Sequence, residues 1–364
     1  MAKRLVFLSV VPSPYQRDVF RALAARGRIS LQVHYLERAA PDSPWPEPAL
    51  AAWENILPGI VAGRGRWRSH LNWRVPRPRA DETWIVNGAM TDLTTQRFIR
   101  CTGGHVPWLF WGELPSQPRG AWKRWLQRRQ YAPLRRARAI VAVGERARAA
   151  YARLAPDTPV FNRPYACRLE AFAAAAAHRP RNPEPVFLFC GQMIARKGVD
   201  VLLRAFARLA HEGVAARLLL VGREADLPRF LAPLAPEIRA RVSYAGFLPP
   251  DDLPAQFARA DVFVLPSRHD GWGVVVNQAF GAGLPVICSD AVGAGLDLVQ
   301  PERNGLLVAA GDESALAAAM RRFATSPALR EACGAGAVRT ASTLAPEHAA
   351  EFWEELAEKI APRT

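Results

Sequence analysis

The sequence predicts an α/β protein built from two doubly wound domains, and three observations support this prediction. The chain has 364 residues, 50% of them hydrophobic, which exceeds the size at which a single core usually stops growing. Short apolar runs alternate with stretches of helical spacing, as in parallel sheets joined by helices. An Ala-rich stretch with several prolines separates two such series. We therefore expect domains over residues 1–165 and 186–345, a linker at 166–185, and a C-terminal segment at 346–364.

Five apolar runs in the first domain are predicted strands, at residues 4–10, 30–36, 83–87, 106–111 and 138–143. The segment at residues 37–80 fits this plan less well, because its seven prolines would break any long regular element. We predict a long surface excursion there. It contains four tryptophans, Trp45, Trp53, Trp67 and Trp73. They could line a binding pocket, but packing against the first domain is the favoured interpretation, because Trp is usually mostly buried.

The start of the second domain combines a strand, a turn and a helix. Residues 186–190 are a predicted buried strand, Gly191 opens a turn, and residues 199–213 have the apolar spacing of a helix. Arg196 and Lys197 stand just before that helix, whose unpaired N–H groups and dipole favour an anion. Lysine is scarce in this chain, so a compact ammonium at position 197 is informative. Two cations there suit a diphosphate, and a solvated helix start is the alternative.

A second segment has the more specific pattern. Residues 260–267 are a predicted strand, and Gly271-Trp272-Gly273 is a tight loop that lets the backbone approach a ligand before a helix begins near Val274. Asp270 lies at the mouth of this loop, and Gln278 lies on the same side of the helix. An acid and an amide so placed could hold sugar hydroxyls; alternatively, Asp270 merely caps the helix. Both segments follow strands of a predicted parallel sheet, where ligands collect, and together they indicate a nucleotide-sugar site.

The segments at residues 191–198 and 266–287 resemble the signature of glycosyltransferase family 4, a family of retaining enzymes with the GT-B architecture. The resemblance extends over the C-terminal half of the chain, where the family's further strands match residues 218–222, 242–246, 260–267 and 283–287 in order. It implies two Rossmann-like domains facing across a cleft, an N-terminal one for the acceptor and a C-terminal one for the nucleotide sugar. It also implies that the final helix, at residues 347–360, crosses back to the first domain.

The resemblance assigns roles on the donor side. Arg196 and Lys197 would bind the donor diphosphate and stabilise the departing charge, and Asp270 would hold hydroxyls of the donor sugar. The amides of residues 271–274 would assist, and position 278 would meet the ribose. The expected donor-binding residues are Gly191, Gly222, Arg223, Phe247, His269, Gly271, Trp272, Gly273, Val274 and Gln278. No protein nucleophile is expected in such enzymes, and the departing phosphate is expected to take the acceptor proton. No metal is expected, because Arg196 and Lys197 would stabilise the departing charge.

Two departures from the family pattern bear on these roles. The family usually has a glutamate at both ends of the second motif, whereas this chain has Asp270 and Gln278. Glutamine removes a charge-assisted hydrogen bond to ribose hydroxyls, so we expect weaker donor binding. In addition, the loop at residues 12–17 lacks the paired glycines that many relatives place near the donor phosphates.

The acceptor side has one main candidate residue. Glu113 follows the predicted strand at residues 106–111 and faces the proposed cleft, where it could deprotonate or hold an acceptor hydroxyl. Asp92 and Tyr15 are weaker candidates. The donor is expected to be a UDP- or GDP-linked hexose, and the acceptor a glycan, a lipid-linked molecule or a small molecule.

A formal net charge of +15 raises the question of polyanionic partners. Arginines are dispersed over nearly every predicted helix, so nucleic acid is not an expected partner. One stretch is denser, because residues 119–138 carry eight cations and no acid, with Trp122, Trp125 and Leu126 at helical spacing. Such a helix could lie on an anionic membrane surface. A solvated helix with its tryptophans in the core is the slightly favoured alternative.

Cysteine usage and hydropathy predict a cytoplasmic protein. The five cysteines are an odd number without a Cys-x-x-Cys pair, so they are expected to be reduced. No apolar run reaches the roughly 18 residues of a membrane span, and the N-terminal apolar stretch is too short for a secretion signal. Peripheral attachment at the inner face of the membrane and a role in cell-envelope polysaccharide synthesis are further expectations. The histidines lack metal-ligand spacing, so no metal site is expected.

Two other functions stay open on the sequence alone. An epimerase on the same scaffold would change the nucleotide sugar without any acceptor, although its expected acid and base pair is not visible. A non-catalytic protein that binds nucleotides or polyanions would fit Gln278 and the basic surface. Its polyanion binding would depend steeply on salt concentration.

Overall fold

A computed structural model describes residues 3–39, 47, 49–63, 68–88, 90–102, 106–118 and 120–360. The chain forms two compact units, one of Met1–Cys167 with Pro346–Thr364 and the other of Arg168–Ala345. Each unit has its own parallel sheet. The chain is therefore an α/β protein with two Rossmann-like units, as the sequence predicts.

The first unit is built around a seven-stranded sheet. The strands described in this unit, seven in the main sheet and two in a separate hairpin, are β1 (Lys3–Ser9), β2 (Ile29–Tyr35), β3 (Glu54–Ile56), β4 (Gly59–Ala62), β5 (Ser69–Asn72), β6 (Glu82–Asn87), β7 (Trp108–Gly112), β8 (Ala139–Ala142) and β9 (Val160–Asn162). The sheet order is β3-β2-β1-β6-β7-β8-β9 with every neighbouring pair parallel, while β4 and β5 pair as a separate antiparallel hairpin. The helices are α1 (Pro14–Arg26), α2 (Leu93–Thr102), α3 (Ala121–Tyr131) and α4 (Glu145–Leu154), together with the C-terminal helix Pro346–Ile360.

Aromatic side chains join the C-terminal helix to the core of this unit. The ring of Phe7 on β1 lies 4.7 Å from that of Phe20 on α1 and 5.4 Å from that of Trp353, measured between centroids. Trp353 also lies 5.3 Å from Trp111 on β7. The first pair is tilted and the two pairs with Trp353 are edge-to-face, and such aromatic contacts add to the free energy gained from burial. The helix Pro346–Ile360 is thus an integral part of the first unit.

The segment at residues 37–80 contains three short strands, which the sequence prediction of a surface excursion missed. β3 extends the main sheet beside β2. Its residue Glu54 is buried and accepts hydrogen bonds from Arg17 Nε at 2.6 Å and from the Tyr35 hydroxyl at 2.7 Å. The prolines that the structure describes in this segment lie outside the strands, so they separate short strands and do not prevent them.

The second unit has a six-stranded parallel sheet. The strands are β10 (Val186–Cys190), β11 (Arg217–Val221), β12 (Val242–Tyr244), β13 (Val262–Leu265), β14 (Val286–Ser289) and β15 (Gly305–Val308), in the order β12-β11-β10-β13-β14-β15. The helices are α5 (Glu170–Ala176), α6 (Val199–His211), α7 (Leu227–Leu231), α8 (Pro236–Arg239), α9 (Leu253–Ala258), α10 (Val275–Gly281), α11 (Gly293–Leu298), α12 (Glu313–Thr325) and α13 (Pro327–Ala341), so that Pro346–Ile360 is α14. Within the described part of the chain, no helix is both long and apolar enough to cross a membrane.

The predicted linker and the last strand differ from the sequence expectation. Residues 166–185 contain α5, whose Phe172 ring lies 5.2 Å from that of Phe257 on α9, so most of this segment is part of the second unit. β15 was not predicted. Its four residues follow Asn304 and pair with β14, and so short a run carries little periodicity.

The strand orders place a switch point in each sheet. In the first unit, β2 and β3 lie on one side of β1, and the later strands are added on the other side, starting with β6. In the second unit, β11 and β12 lie on one side of β10, and β13 and the later strands lie on the other side. Loops that leave the carboxyl ends of such a strand pair diverge to opposite faces and leave a crevice, which is where ligands bind in open α/β sheets. The two candidate sites of this chain lie at these two edges.

Candidate functional site

The second unit brings Lys197 and Asp270 together at its switch point. Lys197 ends a short 3-10 turn after β10, and Asp270 follows β13. The Lys197 ammonium contacts the Asp270 carboxylate directly, and the two side chains are 17% and 13% exposed. The helix α10 begins at Val275, and its N-cap is Val274 without a side-chain cap. Asp270 is therefore an ion-pair partner of Lys197 and not the cap of this helix.

A backbone contact that only glycine permits holds the two loops together. Gly198 has a φ of 74°, and a Cβ at this position would lie 2.1 Å from the carbonyl oxygen of Pro266. Beside this contact, the Arg268 amide donates to the Arg196 carbonyl at 2.8 Å. The loops that carry Lys197 and Asp270 therefore have a fixed separation.

Two arginines reinforce the same junction with side-chain bonds. The Arg268 guanidinium binds both carboxylate oxygens of Asp200, at 2.6 and 2.7 Å, and this bidentate pairing lowers the pKa of Asp200. Arg196 Nη1 donates to the His269 carbonyl oxygen at 3.0 Å. The Arg196 and His269 side chains are exposed. Both are thus available to an anion outside the Lys197–Asp270 pair.

The loop at residues 271–274 is tightly packed against the core of the second unit. Gly273 has a φ of 88°, and a Cβ there would meet Val292 at 2.9 Å. Trp272 is 1% exposed, and its indole nitrogen donates to the Asn277 side chain at 3.1 Å. The Trp272 ring therefore anchors the loop in the core, so its expected contact with a donor is limited to its backbone. Gln278 is half-buried at the fourth position of α10.

Arg223 and Phe247 form a small platform at the ends of β11 and β12. The Arg223 guanidinium lies 5.4 Å from the centroid of the Phe247 ring, and that ring is 47% exposed. A Cβ at Gly222 would lie 2.0 Å from the Gly191 carbonyl, so a second glycine contact draws β10 and β11 together here. Arg223 and Phe247 were both expected to bind the donor, but the contact of the Arg223 guanidinium with the Phe247 ring was not predicted from the sequence.

The switch point of the first unit opens into a cavity of about 1060 Å³. Glu113, which follows β7, lies on its wall and is exposed. The Tyr165 hydroxyl donates to Glu113 Oε1 at 2.9 Å, and the Tyr151 hydroxyl donates to the Glu113 carbonyl at 2.7 Å. Burial raises the pKa of Tyr165 well above its ordinary value, so its proton stays in place. The glutamate is thus held on both its side chain and its backbone.

Of the two weaker acceptor-side candidates, only Tyr15 lines the cavity. Its ring lies 4.7 Å from that of Tyr165. Asp92 is 1% exposed and accepts bonds from the Thr95 amide at 2.9 Å and from the amide and Nδ1 of His70 at 2.7 and 2.6 Å. Asp92 therefore anchors the β4–β5 hairpin to α2 and does not line the cavity.

His70 is the centre of a buried charge cluster that the sequence did not predict. Its Nε2 lies 3.1 Å from Glu37 Oε1, near enough for an ion pair although not aligned as a hydrogen bond, and Glu37 in turn pairs with Arg68, on the cavity wall. Burial disfavours the charged imidazole, but the carboxylates of Asp92 and Glu37 outweigh this effect and raise the pKa of His70.

The basic stretch does not bury its tryptophans. Trp122, Trp125 and Leu126 on α3 are 67%, 48% and 40% exposed, so the favoured expectation of a core position was wrong.

In the segment at residues 37–80, the Trp53 ring packs near the Phe20 ring, with 6.4 Å between centroids. Trp73 is 53% exposed. Trp45, Trp67 and Arg119 lie outside the described residues.

Comparison with known proteins identifies the kind of domain that carries the first site. Residues 184–326 match the family model described as glycosyl transferases group 1. The D-inositol 3-phosphate glycosyltransferase of Nocardioides sp. is 34% identical over 183 residues, which are 45% of this chain and 39% of that protein. The chain spans about two fifths of the length of the first curated relatives it matches.

Solved structures resemble the whole chain. Sucrose-phosphate synthase from Thermosynechococcus elongatus has a TM-score of 0.73 at 21% identity, with 98% of this chain and 99% of that chain covered. Alr3699/HepE from Anabaena, solved in complex with UDP, has a TM-score of 0.70 at 15% identity, with 98% and 100% covered. The fold is therefore that of the GT-B glycosyltransferases.

Replacing Gly198 with alanine should disturb the junction of the two loops. Gly213 offers a matched control, because its φ is 76° and an added Cβ would meet no heavy atom within 4 Å. Both variants should lose about 1 kcal/mol of unfolding free energy through the left-handed conformation. Gly198→Ala should lose roughly 2 kcal/mol more, because the backbone must move. Urea unfolding followed by circular dichroism measures both, and equal losses would show that the contact with Pro266 contributes nothing.

The cluster around His70 should make stability depend on pH. The folded-state pKa of His70 is raised above its ordinary value of 6.5, so the charged form stabilises the fold fully below that value, and this stabilisation is lost as the pH rises through the raised pKa. His70→Asn should flatten this part of the profile of unfolding temperature against pH, whereas His211→Asn, at an exposed position, should not. An unchanged profile in His70→Asn would contradict this assignment.

Proposed function

We propose that this protein is a retaining glycosyltransferase that moves a hexose from a nucleoside diphosphate sugar to a hydroxyl group of an acceptor. The observation that carries the proposal is the Lys197–Asp270 pair at the switch point of the second unit, inside the segment that matches the glycosyltransferase family model. The relatives and the fold support the same class of enzyme.

The donor diphosphate would replace Asp270 as the partner of Lys197. Arg196, exposed beside it, would add a second cation, and the amides of residues 271–274 would point at the same charge. Asp270, once released, would accept hydrogen bonds from hydroxyls of the donor sugar. Gln278 would meet the ribose through neutral bonds, which are weaker than those of a glutamate.

The base would rest against the Arg223–Phe247 platform, whose exposed ring offers a stacking surface. A uridine base is the first choice, because Alr3699/HepE is solved with UDP. Guanosine is the second. His269 would lie beside the phosphates, since its carbonyl already holds Arg196.

The acceptor would enter the cavity of the first unit. Glu113 would accept a hydrogen bond from its hydroxyl and so orient it, because Tyr165 and Tyr151 fix the position of this residue. A volume of about 1060 Å³ fits the end of a glycan or a glycosylated headgroup better than a single small alcohol. A cell-envelope glycan or a lipid-linked molecule is therefore the proposed acceptor class, at the inner face of the cell membrane.

The chemistry would rest on charge stabilisation. As the bond between sugar and phosphate breaks, negative charge grows on the diphosphate, and Lys197 with Arg196 would offset it without a metal ion. The departing phosphate would take the acceptor proton on the face of the sugar that it leaves, so the configuration of the anomeric carbon would be retained.

Nucleotide-induced thermal stabilisation tests the donor site. At a concentration of 100 times its dissociation constant, UDP should stabilise the wild type by roughly 2.7 kcal/mol, and the shift with GDP, ADP or dTDP compares the bases. Lys197→Ala should lose this stabilisation, and the matched control Lys359→Ala, whose side chain is 71% exposed on α14, should keep it. Asp270→Ala should lose only the additional effect of a UDP-hexose over UDP. A wild-type shift in Lys197→Ala would refute the assignment, and no shift with any nucleotide would favour the non-catalytic alternative.

Glu113→Gln tests the acceptor site. It should keep the full nucleotide-induced stabilisation, because the change is confined to the first unit, and should reduce transfer of radiolabelled sugar into a bacterial membrane extract on the order of a hundredfold. Glu355→Gln, at an exposed position on α14, is the control for a lost carboxylate. Normal transfer in Glu113→Gln would remove this residue from the mechanism.

A further inference from the structure

The helix α3 turns its apolar side to solvent. Trp122, Trp125 and Leu126 fall on one face at the spacing of an amphipathic helix, the face that normally packs on a core. Here none of the α3 residues is buried. The two indole rings stack on each other, with 4.9 Å between centroids, and Arg129 lies 5.6 Å from the Trp125 ring.

The packed side of α3 is polar instead. Lys123 and Gln130, two turns apart on another face, line the cavity of the first unit. Between them, the Gln127 amide donates to the Ser116 carbonyl. Arg124 and Arg128 occupy the remaining face. The helix therefore presents a polar face to the cavity, an apolar face to solvent and a cationic face beside it.

The β4–β5 hairpin has the same inverted polarity. Ile60 and Leu71 pair across the hairpin and share a face with Trp73, and these side chains are 57%, 43% and 53% exposed. The opposite face carries His70 and Asn72, which are 5% and 1% exposed. Hairpins that pack on a core normally place apolar residues inside and polar residues outside.

Both inverted elements border the same cavity. Arg68 and Ser69 line it from the hairpin side, as Lys123 does from α3, and Ser69 accepts a hydrogen bond from the amide of Leu93, which is 57% exposed. We call the following seven side chains the apolar rim: Ile60, Leu71, Trp73, Leu93, Trp122, Trp125 and Leu126. With Val61, they are eight of the nine large apolar side chains that the structure describes as exposed in the first unit.

The charge next to the rim indicates what covers it. From Lys123 to Arg138 the chain carries seven cations and no acid. Tryptophans beside clustered cations are typical of helices that lie in the interface of an anionic bilayer. A protein partner would need acidic complementarity over the same surface, whereas anionic lipid headgroups supply it everywhere along the rim.

We propose that the apolar rim docks on an anionic lipid bilayer, with Trp122 and Trp125 inserted at the headgroup level and the arginines of α3 on the lipid phosphates. The cavity inside the rim then lies at the membrane surface. If the transfer proposed above holds, its acceptor is the polar end of a molecule anchored in that membrane.

Sedimentation with vesicles tests the rim. The purified chain is mixed with vesicles of phosphatidylcholine alone or with about one third phosphatidylglycerol. Wild type should bind the anionic vesicles and release them at high salt. Trp122→Ser/Trp125→Ser should weaken this binding at least tenfold. Arg124→Gln/Arg128→Gln should weaken it roughly fivefold for each cation removed.

Matched controls separate the rim from general surface effects. Val338→Ser removes an apolar side chain that is 57% exposed in the second unit, and Arg153→Gln/Arg229→Gln removes the same net charge from exposed positions elsewhere. Both should bind vesicles as the wild type does, and circular dichroism should show that every variant is folded.

The outcomes are distinct from those of the donor-site test, because vesicle binding needs no nucleotide. Equal binding by the rim variants and the controls would overturn the proposal. A second result would also overturn it. The wild type would not bind vesicles but would form a dimer in analytical ultracentrifugation, and Trp122→Ser/Trp125→Ser would abolish that dimer. The rim would then be covered by a second copy of the chain. Loss of binding in the rim variants alone would support membrane docking, even if the nucleotide assay failed.

Discussion

The proposed donor site depends on the close approach of two backbones at the switch point of the second sheet. A Cβ on residue 198 would lie 2.1 Å from the Pro266 carbonyl, so only glycine lets the loop after β10 touch the loop after β13. That contact places Lys197 next to Asp270. The Arg268–Asp200 bonds then hold the junction from the solvent side, and the buried ring of Trp272 holds the following loop from the core. The chemistry of the site is thus set by backbone geometry before any ligand arrives.

The Lys197–Asp270 pair is also the physical basis for the kind of ligand that we propose. Both charges are largely withdrawn from water, so separating them without a replacement would leave a carboxylate and an ammonium poorly solvated. A ligand that carries an anion and neighbouring hydroxyl groups replaces both partners at once. A bare anion satisfies only the lysine, and a neutral sugar satisfies only the aspartate. The pair therefore favours a molecule in which a phosphate and a sugar are joined, as in a nucleoside diphosphate sugar.

Local sequence patterns predicted the elements that depend on local properties. The strands of the first sheet at 4–10, 30–36 and 83–87 and the helix from Val199 were recognised because apolar periodicity is a property of the segment itself. Topology placed the segments of Lys197 and Asp270 at one edge of the sheet, because each follows a parallel strand, but the ion pair between them was not predicted. The His70 cluster was not predictable in this way. Its members come from three separate segments, and nothing in their spacing along the chain shows that they meet.

The exposed tryptophans of α3 mark the limit of periodicity as evidence. A 3.6-residue pattern identifies an apolar face of a helix but does not show what that face contacts. The same pattern therefore fits a helix packed on a core and a helix that lies on a membrane. The surroundings decide. Here α3 turns Lys123 and Gln130 to the cavity, and the hairpin buries His70 and Asn72, so the apolar side chains of both elements are left on the outside. Two elements that turn polar side chains to the cavity thus leave an apolar rim outside it, and a rim flanked by cations is a surface suited to an anionic bilayer.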